Sequence, residues 1–242
     1  MSLSAEVLLI LAIIGLYLYD SSLLLYCNEG VLSPVRGNNW KVGFGSNNLG
    51  ISGKGLYVPN PLAPHRPLFR LSWHFEGDTP SEIFDLPRDA FLPLAPIVWG
   101  IAAGLFILLP LGFFTNLGDR ALLPALLVIF GNILFALIWV WLNREKFSLS
   151  NKRFASLAFE LLICPPFALN LIRHLSLNIP VTETLVSAAQ RLQKPPNWNE
   201  TRLALLALLS AEIDSEEPES DHFKLLVERR QSLASESNSC QE

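Results

Sequence analysis

"ALLPALLVIFGNILFALIWVWL", residues 121–142, runs for twenty-two positions without one ionisable side chain, and its only strongly polar member is Asn132. A run of that kind suits a hydrocarbon surrounding, because a bilayer core about 30 Å thick is crossed by about 20 mostly apolar residues in a helix. Upstream, Leu92 to Phe114 is equally free of charge, and Val7 to Cys27 carries a single carboxylate at Asp20. Three such stretches predict an α-helical membrane protein with three transmembrane helices. Half of the 242 residues are hydrophobic and only 17% are charged, which fits that class better than an ordinary soluble globule. The first stretch is read as a retained span rather than a cleaved leader: no Lys or Arg precedes it, no small-residue cleavage pattern follows it, and "LLLYC" resumes its apolar character after Asp20.

The flanking charges give an orientation. Arg36, Lys41 and Arg88 lie between the first and second stretches and Arg144, Lys146, Lys152 and Arg153 follow the third, whereas only Arg120, beside Asp119, lies between the second and third. Positive residues are held on the cytoplasmic side, so the N-terminus is expected outside and the C-terminus in the cytoplasm of a bacterial inner membrane. The segments follow: 1–27 the first transmembrane helix, 28–91 a small cytoplasmic β-rich module, 92–142 a transmembrane hairpin, 143–178 an interfacial amphipathic segment, and 179–242 a cytoplasmic helical region with an acidic tail. Phe154 to Leu177 has the length to cross as well, but Glu160, Asn170 and Pro165-Pro166 interrupt it. Crossing would strand a carboxylate and break the helix in lipid, so two short interfacial helices are expected, with Arg153 and Arg173 facing headgroups.

Between the first two spans, "WKVGFG", "KGLYVPN" and "LFRLSWHF" have the aromatic and β-branched content of strands, with "SNNLGISG" read as the loop between the first pair. In the third, Leu68, Arg70, Ser72 and His74 share one face and Phe69, Leu71, Trp73 and Phe75 the other, the alternation of a strand with one wet side. "VPNPLAPHRPLF" has four prolines in the nine residues from Pro59 to Pro67, which makes a stiff extended connector; His65 and Arg66 within it are candidates for a headgroup or partner contact. Beyond residue 181, "TETLVSAAQRLQ", "NETRLALLALLSAEI" with Asn199 as cap, and "ESDHFKLLVERRQSLA" read as helices, the middle one apolar enough to need covering.

A carboxylate in a span asks for a partner. Placed by the 1.5 Å rise per residue, Asp20 and Asn132 lie at similar depth, about 20 Å and about 17 Å in, so a hydrogen bond between them is expected, with Ser21 or Ser22 bonding back to its own helix. In the second span, Gly100 and Gly104 have the small-xxx-small spacing that lets another helix backbone approach, from this chain or another.

Chemistry-bearing patterns are scarce. There is no nucleophile elbow, no H-E-x-x-H, no paired acids, and "GFGSNNLG" is glycine-rich without the G-x-G-x-x-G spacing or a following helix. His65, His74, His174 and His222 are scattered; His74 and Glu76 share a strand face, which a solvated sheet surface explains. Cys27, Cys164 and Cys240 lack the spacing of a disulfide framework or a zinc site, and Cys164-Pro165, a dipeptide found in some haem-responsive proteins, reads as a helix end. No metal, cofactor or catalytic residue is expected. From Glu212 onward nine acidic side chains face three basic ones, which disfavours nucleic acid as a partner. The layout is that of a non-enzymatic scaffold or accessory subunit docking membrane or cytoplasmic proteins, or copies of itself, through its cytoplasmic parts. Two alternatives stand beside it: a transport or channel component in which Asp20 titrates, and a lipid-binding or lipid-modifying enzyme using residues 59–75.

Overall fold

The computed structural model describes residues 4–35, 39–51, 53–72, 86–116, 118–218 and 220–235. It divides into two compact units, the first formed by Met1–Leu24, Leu56–Phe69 and Asp85–Val181, the second by Leu25–Gly55, Arg70–Phe84 and Thr182–Glu242.

The first unit is helical. Helix α1 (Ala5–Ser21) is capped by Ser4, whose hydroxyl accepts from the Val7 amide. A helical run over Arg88–Phe114 comprises a 3₁₀ turn at Arg88–Leu94, α2 (Ala95–Ala103), a widened π-turn at Gly104–Leu108 and α3 (Leu109–Phe114). The π-turn has a local cause. Pro110 cannot donate a backbone bond and its ring would strike the carbonyl four residues back, so the helix opens by one residue just ahead of it. Helix α4 (Asp119–Leu142) returns along α2 and α3. Two helical runs, Arg88–Phe114 and Arg120–Leu142, are thus long and apolar enough to cross a membrane.

Glycines set the spacing of this pair. A β-carbon on Gly100 would come within 2.8 Å of the Asn132 Oδ1, and one on Gly104 within 2.6 Å of the Ile129 Cγ1. The Gly100 and Gly104 face therefore belongs to packing within the chain, against α4. Residues 154–177 form two helices, as their interruptions suggest: α5 (Asn151–Ile163) ends at Cys164, a 3₁₀ turn covers Pro165–Asn170, and α6 (Leu171–Leu177) follows.

The first helix departs from its expected bounds. Rather than running to Cys27 it stops at Ser21, because the Ser21 and Ser22 hydroxyls donate to the Leu18 and Tyr19 carbonyls, at 3.1 and 2.7 Å, and Ser22 turns extended. Its 17 residues are about 26 Å long at the α-helical rise.

The second unit carries two three-stranded sheets. One has the order β1 (Leu23–Tyr26), β5 (Lys54–Tyr57), β4 (Ser46–Ile51); the other β3 (Asn39–Phe44), β2 (Glu29–Val35), β6 (Phe69–Ser72), and the chain passes from one unit to the other within β1, β5 and β6. Strands β2 and β3 are antiparallel, from Gly30 opposite Phe44 to Val35 opposite Asn39, with Val31, Leu32, Trp40 and Val42 buried. The first six residues of "SNNLGISG", expected as a loop, form β4 (Ser46–Ile51). The reason is backbone proximity: a β-carbon on Gly45 would lie 2.7 Å from the Gly55 carbonyl oxygen, an approach that only glycine permits on both sides. Among the described residues, the unit also holds the helices α7 (Leu185–Leu192), α8 (Pro195–Ser215) and α9 (Asp221–Ser235). Helix α8 begins four residues before the expected Asn199 cap, because Pro195 and Pro196 occupy its first turn, where a missing amide costs nothing. It buries Thr201, Leu205, Leu209 and Ile213 at four-residue spacing, and α9 packs on it.

Candidate functional site

The carboxylate that stands out in the sequence is the centre of a polar cluster in the first unit. Asp20 occupies the last turn of α1, where a negative charge opposes the helix dipole and needs donors from elsewhere. Two come from a segment 150 residues away. The Asn170 Nδ2 donates to the Asp20 Oδ2 at 2.9 Å, and the His174 Nε2 lies 2.9 Å from the same oxygen. Asn170 Nδ2 also reaches the Tyr17 carbonyl at 3.2 Å, so one amide touches both a side chain and the backbone of α1.

The other side of Asn170 turns to a cation. Its Oδ1 accepts from the Arg173 Nη1 at 2.9 Å, while the Arg173 Nη2 donates to the carbonyls of Asn60 and Ala63, at 2.7 and 3.3 Å. Arg173 is only 3% exposed. Burial pushes its guanidinium down from the ordinary value, and the neighbouring Tyr17, Tyr57 and Asp20 push back. An arginine nevertheless keeps its proton, so this is a buried positive charge held by neutral acceptors with one carboxylate nearby.

The acceptors are not accidental. The connector, expected to be extended, folds into two successive turns, in which the Ala63 amide donates to the Asn60 carbonyl at 3.2 Å and the Arg66 amide to the Ala63 carbonyl at 3.3 Å, and side chains add further donors to its carbonyls. Arg173 serves Asn60 and Ala63, the Tyr17 hydroxyl donates to the Pro61 carbonyl at 2.6 Å, and the Leu68 amide donates to the Ser176 Oγ at 2.8 Å. The cluster is therefore a clasp: Asn170, Arg173 and His174, at i, i+3 and i+4 spacing, tie α1 to the 60–68 connector through one face of a short helical segment.

Expected site residues fall differently from their sequence reading. Asp20 is bonded to Asn170 and His174 in place of Asn132; Asn132 folds back on its own helix, Nδ2 to the Val128 carbonyl at 2.7 Å, with its oxygen on Gly100. Depth along the axis does not decide the partner: the Asp20 carboxylate is met in the last turn of α1 by Asn170 and His174, while the Asn132 amide is taken up by Val128. Ser21 makes the back-bond foreseen for it. Arg173, read as a headgroup contact, is buried inside the clasp, whereas Arg153 is exposed at the start of α5. His65 stacks on Trp99 with ring centres 5.6 Å apart, and burial, aided by Arg66 and Arg173, pushes its pKa below the usual histidine value; Arg66 is half-buried beside it. His74, Glu76 and Cys240 lie outside the described residues.

Sequence reasoning overlooked Asn170 and His174 as members of one face, although their helical spacing with Arg173 in an apolar segment is the signal. It also overlooked a second cluster. In the second unit the Glu183 carboxylate, with no exposed side-chain surface, takes Arg191 on both oxygens, at 3.3 and 2.7 Å, and the Ser187 hydroxyl at 3.1 Å. Residues 183, 187 and 191 repeat every four positions, from just before the α7 cap to its last turn, and Thr184 caps that helix through the Ser187 amide.

Neither cluster presents primed chemistry. Burial pushes both the Cys27 and the Cys164 thiols up, with Glu212 adding to the first and Asp20 to the second, so neither is an activated thiolate. Among the described residues no group of three or more His, Cys, Asp or Glu side chains is placed to hold a metal ion. A cavity of about 260 Å³ in the second unit is lined by Tyr26, Cys27, Glu29, Lys54 and Leu208, with the Lys54 ammonium 4.3 Å above the Tyr26 ring and so already engaged. No protein-family model, no curated protein and no solved structure matches this chain.

Proposed function

We propose that this chain is an integral membrane protein that serves as a non-enzymatic scaffold or accessory subunit. One observation carries the membrane part: the most apolar stretches of the two long helices are left mostly unburied. Only 39% of the most apolar stretch of the first and 28% of that of the second are buried. On α4, Leu127 is 66% exposed and Leu142 74%, with Leu134, Phe135 and Ile138 also open. A soluble core helix buries that surface; a lipid-facing helix does not. In this reading α2–α3 and α4 form the crossing hairpin, and α1, with Leu8, Leu11 and Leu16 exposed, is a third membrane element. Its length of about 26 Å is short of the hydrocarbon by an amount that local thinning accommodates. The charge bias then puts the N-terminus outside and the clasp, the basic residues after α4 and the second unit on the cytoplasmic side of a bacterial inner membrane.

The scaffold part rests on what the polar residues do. Asp20, Asn170, Arg173 and His174 bond to one another and to the connector, with the Arg173 Nε left unpartnered among the described residues, and the second unit offers Leu203 and Leu225 on α8 and α9 as exposed apolar contacts for a protein partner. Alkaline carbonate washing is expected to leave the chain in the membrane pellet, and a thiol reagent that cannot cross membranes is expected to label Asn116→Cys from outside but Asp214→Cys only after permeabilisation. Truncation after Lys194 is expected to release co-purifying proteins without releasing the chain from the membrane. Recovery in the carbonate supernatant overturns the membrane reading; a full-length chain that is monomeric and partner-free in mild detergent overturns the scaffold reading.

The transport reading keeps one supporting observation, the contact between Asp20 and His174. It requires Asp20→Asn to abolish ion flux in vesicles while leaving the fold intact.

A further inference from the structure

The short segment after α4 gathers positive charge that no ion pair among the described residues neutralises. Arg144, Lys146, Lys152 and Arg153 fall within ten residues with Glu145 as the one acid among them. Lys146, Lys152 and Arg153 are exposed and Arg144 is half-buried, and none of the four joins an ion pair among the described residues. The geometry keeps them together. The Arg144 guanidinium lies 4.5 Å over the Trp141 ring, and its Nη1 donates to the Asn151 Oδ1 at 2.9 Å, which fastens the start of α5 to the end of α4. Lys152 and Arg153 then sit in the first turn of α5, where the helix dipole is positive and basic side chains are the wrong sign. A helix of 13 residues with cations at its positive end is short of an anion.

The rest of α5 says where that anion is. Phe159 is 67% exposed and Ile163 65%, so the helix carries cations at its start and uncovered apolar side chains farther along, the make-up of a segment lying in a membrane interface. Trp141, at the same end of α4, is an interfacial anchor by type and place. We propose that Arg144, Lys146, Lys152 and Arg153 form a collar that binds the phosphate groups of anionic lipids on the cytoplasmic leaflet, while Phe159 and Ile163 enter its acyl boundary. This rests on the membrane reading above and adds a lipid class to it. It also relocates the headgroup contact: Arg173, spent on Asn60, Ala63 and Asn170, has no part in it.

The test uses the full chain extracted in a neutral detergent and offered phosphatidylglycerol or phosphatidylcholine, with lipids retained on the protein counted by native mass spectrometry. Each basic side chain near an anionic surface contributes about fivefold to binding, the equivalent of about 1 kcal/mol. Wild type is expected to retain phosphatidylglycerol over phosphatidylcholine by tenfold or more. Replacing all four cations by Gln is expected to bring that ratio near one, whereas Arg144→Lys with Arg153→Lys keeps it, because charge rather than fork geometry is being read. Removing Lys41, Lys194, Lys224 and Arg230 instead is expected to leave the ratio unchanged. Equal retention of the two lipids by wild type, or an unchanged ratio in the fourfold Gln variant, overturns the collar, and so does an equal loss in the control variant. Should the fourfold variant fail to fold, Lys152→Gln with Arg153→Gln decides by the same ratio. A chain that stays in the membrane pellet but is indifferent to headgroup charge fails here alone; one that leaves the pellet fails the membrane reading itself.

Discussion

Two carboxylates, Asp20 in the first unit and Glu183 in the second, are both withdrawn from water and both near an arginine, yet they are built differently. Glu183 takes Arg191 directly, eight residues along the chain, with Ser187 between them. Asp20 meets no cation of permanent charge; Asn170 stands between it and Arg173, and every partner lies some 150 residues away. The first arrangement fastens one helical segment to itself. The second holds distant parts of a unit in register, and its arginine is committed to backbone carbonyls rather than to the acid. A local pair that loses a member can turn to solvent, while a long-range clasp leaves buried groups stranded.

Removal of the buried cation gives the largest expected effect. Arg173→Ala empties a buried site, leaves the Asn170 oxygen without its donor and takes the second donor from the Asn60 and Ala63 carbonyls, and is expected to cost about 3 to 5 kcal/mol, read as loss of the folded population in a denaturant titration in detergent. If the loss is under about 1 kcal/mol, the clasp is decorative and the comparison fails on its stronger side. Glu183→Gln comes next. Arg191, whose side chain is 32% exposed, can swing outward, so about 1.5 to 2 kcal/mol is expected by the same measurement. A cost equal to that of Arg173→Ala would mean that locality confers no tolerance. Asp20→Asn keeps an oxygen for Asn170 and loses only charge, for about 1 kcal/mol.

The difference between the clusters is also why one was within reach of sequence reasoning and the other was not. Residues 183, 187 and 191 announce their pairing by helical spacing alone. That Asn170, Arg173 and His174 share a face is equally plain, but what the face meets is not, since no local rule joins residue 170 to residue 20. Asp20 marks itself as needing a partner, yet the choice of Asn132 rests on equal depth alone, and depth says nothing of which side of α1 the carboxylate faces; the serine back-bonds are foreseen, but not that they end the helix at Ser21. Helix α4 was legible throughout because composition over twenty-two positions needs no tertiary knowledge. Strand β4 was not, because "SNNLGISG" has the makings of a turn and only the close approach of Gly45 and Gly55 makes it a strand. The prolines mislead in a similar way: Pro195-Pro196 looks like a stop and is a start.

The smallest expected effect concerns His65, which borders the clasp and feels it. Its pKa is pushed below the usual 6.5 by burial first and by Arg66 and Arg173 after that. The unfolded chain therefore takes up the proton more readily than the folded one. The stabilising contribution of the neutral ring is fully present above pH 6.5 and is lost as pH falls below that value toward the lowered one. Wild type is accordingly expected to lose stability between pH 7.5 and pH 5.5 by more than His65→Phe, a variant that preserves an aromatic ring against Trp99 and cannot titrate. The difference between the two slopes isolates His65 from every other group that changes charge in that window. The same pair of measurements in an Arg173→Met background sharpens the point, because one of the two neighbouring cations is then gone and the gap between the slopes should narrow. A gap of unchanged size would leave burial and Arg66 as the whole cause, and would place His65 outside the electrical reach of the clasp.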